Sequence, residues 1–418
     1  MRAEAGPQRL SVAVQAALDP RASGGVQTNL LALVHAMADH RDAVGLDLLV
    51  PEHIREAWRA VADPAFGVHA WPFPLQWYRE TGAASPAARL RRLLARLRAP
   101  GQAAHDRMLR GLGCQVVHFP YQLAFDTTLP SLYEPWDLQH VHLPDLFSPG
   151  ERAWRTAHYG RACRRATFVV TATAATKRDV MAAFGVPPQR IAVVHRDAGE
   201  LPSPPPPERR AALLAALGVA PPFAFFPAIP YPHKNHVRLL EALGVARDRD
   251  GLRIPLVLSG RPHAAGGAAL EAALERLGLR DQVHLVGAVP VETLATLYAE
   301  ARLLAFPSRF EGLGLPLLEA MQYGLPIAAS RASCIPEVVG DAALLFDPED
   351  PVAIADALVR LWRDDGLRAT LAERGRRRRG RFGWHAAAPR YRALYRAAAG
   401  LPLDASDRPL LEDALSER

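Results

Sequence analysis

The 418-residue chain alternates two hydrophobic rhythms. Short unbroken apolar runs, as at residues 11–15 and 46–50, read as strands covered on both faces, and between them residues 25–38 carry apolar positions three and four apart, as a helix with one buried stripe does. Further strands are predicted at 115–119, 167–171 and 191–195. Residues 201–208 read Leu-Pro-Ser-Pro-Pro-Pro-Pro-Glu, and successive prolines lock φ and remove backbone donors, so no regular structure is expected there. The rhythm then restarts, with strands predicted at 223–227, 254–259, 282–286, 302–306, 326–329 and 343–346 and helices at 351–362 and 384–399. Strands alternating with helices predict an α/β protein with two doubly wound, Rossmann-like domains, divided at the proline segment. No repeat of solenoid period is present.

The stretch from Pro307 to Ala320 carries the richest chemistry. It ends a predicted strand, turns on Gly312 and Gly314 and opens a helix at which Pro316 fits the first helical position, where a missing N–H costs nothing. Free N–H groups and the dipole at such a start favour a phosphate, and glycines let backbone approach it closely. Glu311 and Glu319 bracket this start; if most of the span is helical, eight steps of ~1.5 Å put them roughly 12 Å apart, the reach of a diphosphate flanked by hydroxyl-bearing rings. Two solvated glutamates on an amphipathic helix are the bland alternative. Lys234, in Pro232-His233-Lys234-Asn235-His236, follows the predicted strand 223–227 at the mouth of a βα turn, where doubly wound folds place ligands. A lysine there suits a diphosphate as a point charge, and Asn235 is expected to cap the next helix. In the first half, Ser23-Gly24-Gly25 offers backbone amides between a strand and a helix.

Composition narrows the partners. With 49% hydrophobic and 22% charged residues the chain is globular, and 50 Lys+Arg against 43 Asp+Glu gives +7, which suits phosphates, acidic lipid surfaces or nucleic acid. No run is long enough to span a membrane and the first residues lack the apolar core of a signal peptide, so a cytoplasmic protein is expected. Cys114, Cys163 and Cys334 are scattered and odd in number, which argues for reduced thiols and no zinc site. Residues 89–98 place leucines at helical spacing among arginines, as in a helix docking on an anionic membrane or an ordinary amphipathic one. Residues 376–379 are expected to form a solvated basic face.

Glu311, seven intervening residues and Glu319, then Ala320-Met321-Gln322-Tyr323-Gly324-Leu325-Pro326 and Ile335-Pro336-Glu337-Val338-Val339-Gly340-Asp341, together with Pro232 to His236, resemble the retaining nucleotide-sugar glycosyltransferases of group 1 (family GT4). The resemblance implies the GT-B fold: residues 1–200 as an N-terminal acceptor domain, 201–385 as a donor domain facing it across a cleft, 386–402 as a helix crossing back, and 403–418 as an unassigned tail. It also implies a nucleoside diphosphate sugar as donor, with Lys234, Gly314 and Leu315 at its diphosphate, Glu319 at the ribose, Glu311 at the sugar, and Gly24 and Gly25 approaching the phosphate. Asp137 and His140 fall where the family carries a His-Asp pair facing the sugar, although Trp136 stands in place of that histidine. His118 is a further candidate that reads equally as a satisfied buried histidine. Many members place an arginine shortly before the lysine; His233 or an arginine from elsewhere is left to supply that charge here.

No cofactor or metal is expected. Asp248-Arg249-Asp250 has the spacing of a metal-binding motif of the other nucleotide-sugar fold, but it follows a helix and reads as a loop decoy. The expected acceptor is a saccharide or lipid-linked hydroxyl in cell-surface polysaccharide or glycolipid assembly, with a tilt towards mannose and possible peripheral attachment to the inner face of the membrane. A non-catalytic basic module binding nucleic acid or a membrane surface is the alternative from another class; nothing resembles a nucleic-acid recognition motif.

Overall fold

The computed structural model describes residues 9–21, 24–72, 101–197, 199 and 201–417. Its architecture is α/β, with two all-parallel sheets. The first comprises β1 (Leu10–Gln15), β2 (Val44–Val50), β3 (Gly67–Ala70), β4 (Val116–Phe119), β5 (Ser131–Tyr133), β6 (Phe168–Thr171) and β7 (Ile191–Val193), in the order β3-β2-β1-β4-β5-β6-β7. The second comprises β8 (Ala224–Pro227), β9 (Leu256–Ser259), β10 (Val283–Gly287), β11 (Leu303–Phe306), β12 (Ile327–Ser330) and β13 (Ala343–Phe346), in the order β10-β9-β8-β11-β12-β13. Strands such as β4, β9 and β11 are buried along their whole length, because helices cover both faces of a parallel sheet. The order in which strands are added reverses between β1 and β4 and between β8 and β11, and it is outside the carboxyl ends of the strands at such switch points that open α/β sheets bind ligands.

Two strands, β3 and β5, escape the hydrophobic pattern. The first is a half-buried four-residue edge and the second has three residues held between Pro130 and Pro135. In the proline segment only residues 201–206 are irregular: Pro207 and Glu208 begin the helix Pro207–Ala216, since a proline at the first helical position gives up no hydrogen bond. The end of the chain forms a helix, Asp407–Ser416, that packs on Trp384–Ala398 and β7.

The helix Trp384–Ala398 lies in the core of the first lobe, with Ala387, Tyr391, Leu394 and Tyr395 fully buried beside residues of β1 and β2. A buried polar network anchors it. Glu134 accepts from Tyr391 at 2.7 Å and pairs with Arg196 at 2.7 Å and with His118 at 2.9 Å, while the other nitrogen of His118 meets the Tyr395 hydroxyl at 2.8 Å. Burial alone would raise the Glu134 pKa, but Arg196, His118 and Tyr391 together hold it below the ordinary value. His118 is thus a satisfied buried histidine.

The run at 376–379 is only partly a solvated face. Arg376 and Arg377 are exposed, but Arg378 donates to the carbonyls of Val338 (3.0 Å) and Glu337, and Arg379 pairs with Asp197 in the segment leaving the first lobe. Among the described residues no helix is long and apolar enough to cross a membrane. Residues 89–98 lie outside the described residues.

Candidate active site between the lobes

The switch point of the second lobe delivers polar residues to the cleft between the lobes. After β8 the chain makes a single turn, Pro232–Lys234, that presents Lys234; after β11 an irregular segment presents Glu311. The Lys234 ammonium donates to Glu311 Oε1 at 2.7 Å, and the two side chains keep only 18% and 10% of their surface exposed. Asp137, beyond β5 of the first lobe, faces this pair. Burial raises its carboxyl pKa and the Glu311 charge adds to the rise, against Arg155 and Lys234. Its Oδ1 accepts the Gln139 amide at 3.0 Å.

The lobes meet closely here. A Cβ on Gly312 would lie 2.6 Å from the Trp136 carbonyl oxygen, so no larger residue fits without parting the lobes. Gly25 faces Leu315 in the same way, with 3.2 Å from its would-be Cβ to Leu315 Cδ1, so the Gly24-Gly25 turn sits against the start of the helix Leu315–Gln322. Ser23 lies outside the described residues. Gly314 precedes that helix in the left-handed region (φ 80°) and no side chain caps its first amides; the helix begins at Leu315, so Pro316 takes the second helical position and not the first, and its missing N–H still costs nothing there.

Glu319, one turn on, is partly buried and accepts the Tyr298 hydroxyl at 2.5 Å; burial raises its pKa. Residues 311–314 are not helical, so the ~12 Å spacing of Glu311 and Glu319, which rested on a mostly helical span, loses its basis.

Four expectations are corrected. His140 is not turned towards Lys234 and Glu311. Its ring packs edge-on against Tyr159 and Phe147, buried in the first lobe with neither nitrogen hydrogen-bonded, and burial, with Arg155 and Arg152, depresses its pKa to about 4. His142, two residues later on the exposed side of the same turn, does meet the other lobe: paired with Asp179 of its own lobe at 2.8 Å, it stacks on Phe310 of the second with centroids 5.0 Å apart. The His-x-His spacing was the only signal that could have pointed to it. Asn235 is no side-chain cap. It adopts a left-handed conformation (φ 64°), and its buried amide donates to the carbonyls of Pro307 (3.1 Å) and Pro348 (2.7 Å), stapling the loops after β11 and β13 under Lys234. His233 does not carry the second positive charge, because burial, helped by Lys234, pulls its pKa to about 4. Asp248 and Asp250 belong to the last turn of the helix His236–Asp250, not to a loop, and are paired with Arg247 and Arg249.

A segment crossing from the second lobe completes the cleft. Glu337 accepts the amides of Ala174 (2.7 Å) and Ala175 (2.8 Å) at the start of the helix Ala174–Phe184 in the first lobe. Thr173, the residue before that helix, reaches the Gly312 carbonyl at 3.4 Å.

Residues 218–378 match the family model described as glycosyl transferases group 1. Among curated proteins the chain is 37% identical to the O-antigen chain mannosyltransferase B of Escherichia coli over 162 residues, 39% of this chain and 42% of that protein. It is 29% identical to a D-inositol 3-phosphate glycosyltransferase of Corynebacterium urealyticum over 313 residues, 70% of this chain and 73% of the relative. Against the mannosyltransferase the chain thus spans less than half of the relative's length. Among solved structures, sucrose-phosphate synthase from Thermosynechococcus elongatus superposes with a TM-score of 0.70 at 20% identity, over 93% of this chain and 99% of the other. Anabaena Alr3699/HepE, in complex with UDP and glucose, superposes with 0.67 at 18% identity, over 93% and 100%. These likenesses concern the fold. The two facing parallel-sheet lobes are those of the GT-B scaffold, and residues 218–378 of the second lobe are similar to the group 1 glycosyl transferases.

Proposed function

We propose that the chain is a retaining glycosyltransferase that moves a hexose from a nucleoside diphosphate sugar to a hydroxyl acceptor. The observation that carries the reading is the convergence of Lys234 and Glu311, at the switch point of the second lobe, with Asp137 of the facing lobe, beside a helix start with uncapped amides. Lys234 is neutralised by Glu311 across a 2.7 Å ion pair. A donor diphosphate replaces that partner: Lys234 and the amides beyond Gly314 take the phosphate charge, Glu311 turns to the sugar hydroxyls and Glu319 to the ribose. The same cations stabilise the negative charge that develops as the phosphate leaves. The acceptor hydroxyl attacks from the face the phosphate departs from, with the departing oxygen taking its proton, so no protein nucleophile is required. Asp137, its carboxyl pKa raised, borders the sugar from the first lobe. Charge stabilisation by lysine and amides makes the transfer independent of metal, and activity is expected to survive EDTA.

The relative named O-antigen chain mannosyltransferase supports a mannose-type donor and a role in cell-surface polysaccharide assembly. A thermal-shift panel of GDP, UDP and their sugars identifies the donor. Glu311→Ala is expected to abolish transfer with the fold intact; near-normal turnover in that variant overturns the assignment.

A further inference from the structure

The loop from β12 to the helix Ile335–Val339 holds Glu311 and the opposite lobe at once. The Ser333 hydroxyl accepts the Glu311 amide at 2.9 Å and donates to the Glu311 carbonyl at 3.1 Å, and the Cys334 thiol reaches the same carbonyl at 3.2 Å. At the base of the loop Ser330 donates to the Ser308 carbonyl at 2.6 Å. Past its far end, in the helix Ile335–Val339, Glu337 is docked on the amides of Ala174 and Ala175.

Magnitudes argue that Ser333 is not there for stability. It is exposed, so its two hydrogen bonds are worth roughly 1 kcal/mol each at most in competition with water. Its backbone sits in the left-handed region at φ 47°, which costs a residue with a Cβ about 1–2 kcal/mol. Gain and strain nearly cancel, and what is left is a fixed place for the Glu311 backbone.

We propose that Ser333 and Glu337 are positioning residues that tie the placement of Glu311 to the approach of the two lobes. Glu337 seats the loop on the first lobe, and Ser333, four residues earlier, passes that seating to the backbone that carries the Glu311 carboxylate. When the lobes part, Glu337 loses its amides and the loop gains freedom, so Glu311 is held in place only in the closed cleft. The inference rests on the role of Glu311 argued above.

Ser333→Gly, Glu337→Gln and the double variant test it, with Glu311→Gln as reference. The first removes the hydroxyl and the strain together, so its melting temperature stays at or above that of the wild type. Donor turnover is followed as nucleoside diphosphate release from GDP-mannose or UDP-glucose, whichever shifts the melting temperature more. Each single variant is expected to lower kcat about 10-fold with little change in donor KM, and the double variant to fall well short of the ~100-fold product because the residues act in series. Hydrogen exchange of the ligand-free protein reads the coupling without activity: exchange at 309–314 rises in both single variants while the sheet strands keep their protection. Wild-type kcat and unchanged exchange at 309–314 in Ser333→Gly overturn the role of Ser333. Multiplicative effects in the double variant overturn the link to Glu337. Full activity in Glu311→Gln instead overturns the assignment of Glu311 and leaves the exchange result to decide the coupling.

Discussion

Lys234 and Glu311 neutralise one another at 2.7 Å, and an ion pair this shielded has one natural competitor, a diphosphate able to offer several charge-assisted bonds at once. Substituting Lys234→Ala should therefore lower kcat by about 10²- to 10³-fold, as loss of a group that stabilises developing charge does, and steady-state kinetics checks it. His236 makes a different prediction. It is buried and its pKa falls to about 4 from 6.5, with desolvation as the first cause. A histidine neutral in the fold and protonated when unfolded stabilises the fold fully above pH ~6.5 and less as pH falls towards ~4, by roughly 1.4 kcal/mol per pH unit. His140, buried and likewise depressed to about 4, adds to the same slope. Urea denaturation between pH 7 and 4.5 should show this decline, and His236→Gln should flatten it; an unchanged slope contradicts the assignment.

At the scale of elements, the loops after the central strands matter more than the helices between them. Asn235→Ala removes two buried hydrogen bonds and leaves alanine in a left-handed conformation, so a loss of ~2–3 kcal/mol is expected by denaturant titration, together with weaker donor binding because Lys234 loses its support. Gly312→Ala should part the lobes and lower turnover more than 10-fold while each lobe keeps its circular dichroism signal. Most strands and the helices at 25–38 and 384–399 were legible because fully covered strands and one-striped helices leave opposite periodicities in the sequence. The strands β3 and β5 were not, being an edge too mixed and a run too short to carry a period. Lys234, Glu311, Gly314 and Glu319 were legible as strand-to-helix turn chemistry. Which histidine faces the cleft was not, because His140 and His142 differ only in which side of one short turn they occupy. Nor could local sequence show that Asn235, Ser333 and Glu337 work through partners 22 to 163 residues away.

At the scale of the whole molecule, the crossing helix Trp384–Ala398 makes the C-terminal end of the chain part of the first lobe's core, and the buried Glu134 network fixes it there. Removing one partner from such a network leaves buried charge uncompensated, so Glu134→Ala should cost about 3–5 kcal/mol, seen as a fall in melting temperature. Arg196 belongs to that network and the next residue, Asp197, pairs with Arg379 across the lobe junction, so lobe orientation and core stability share a side-chain cluster. On the proposed function, the second lobe grips a nucleoside diphosphate through Lys234 at the face turned to the first. Calorimetric titration of GDP and UDP into the wild type and Lys234→Ala tests it most directly. One nucleotide is expected to bind the wild type, and the variant to bind it at least 10-fold more weakly; equal affinity in the two proteins would rule out Lys234 as the diphosphate's partner.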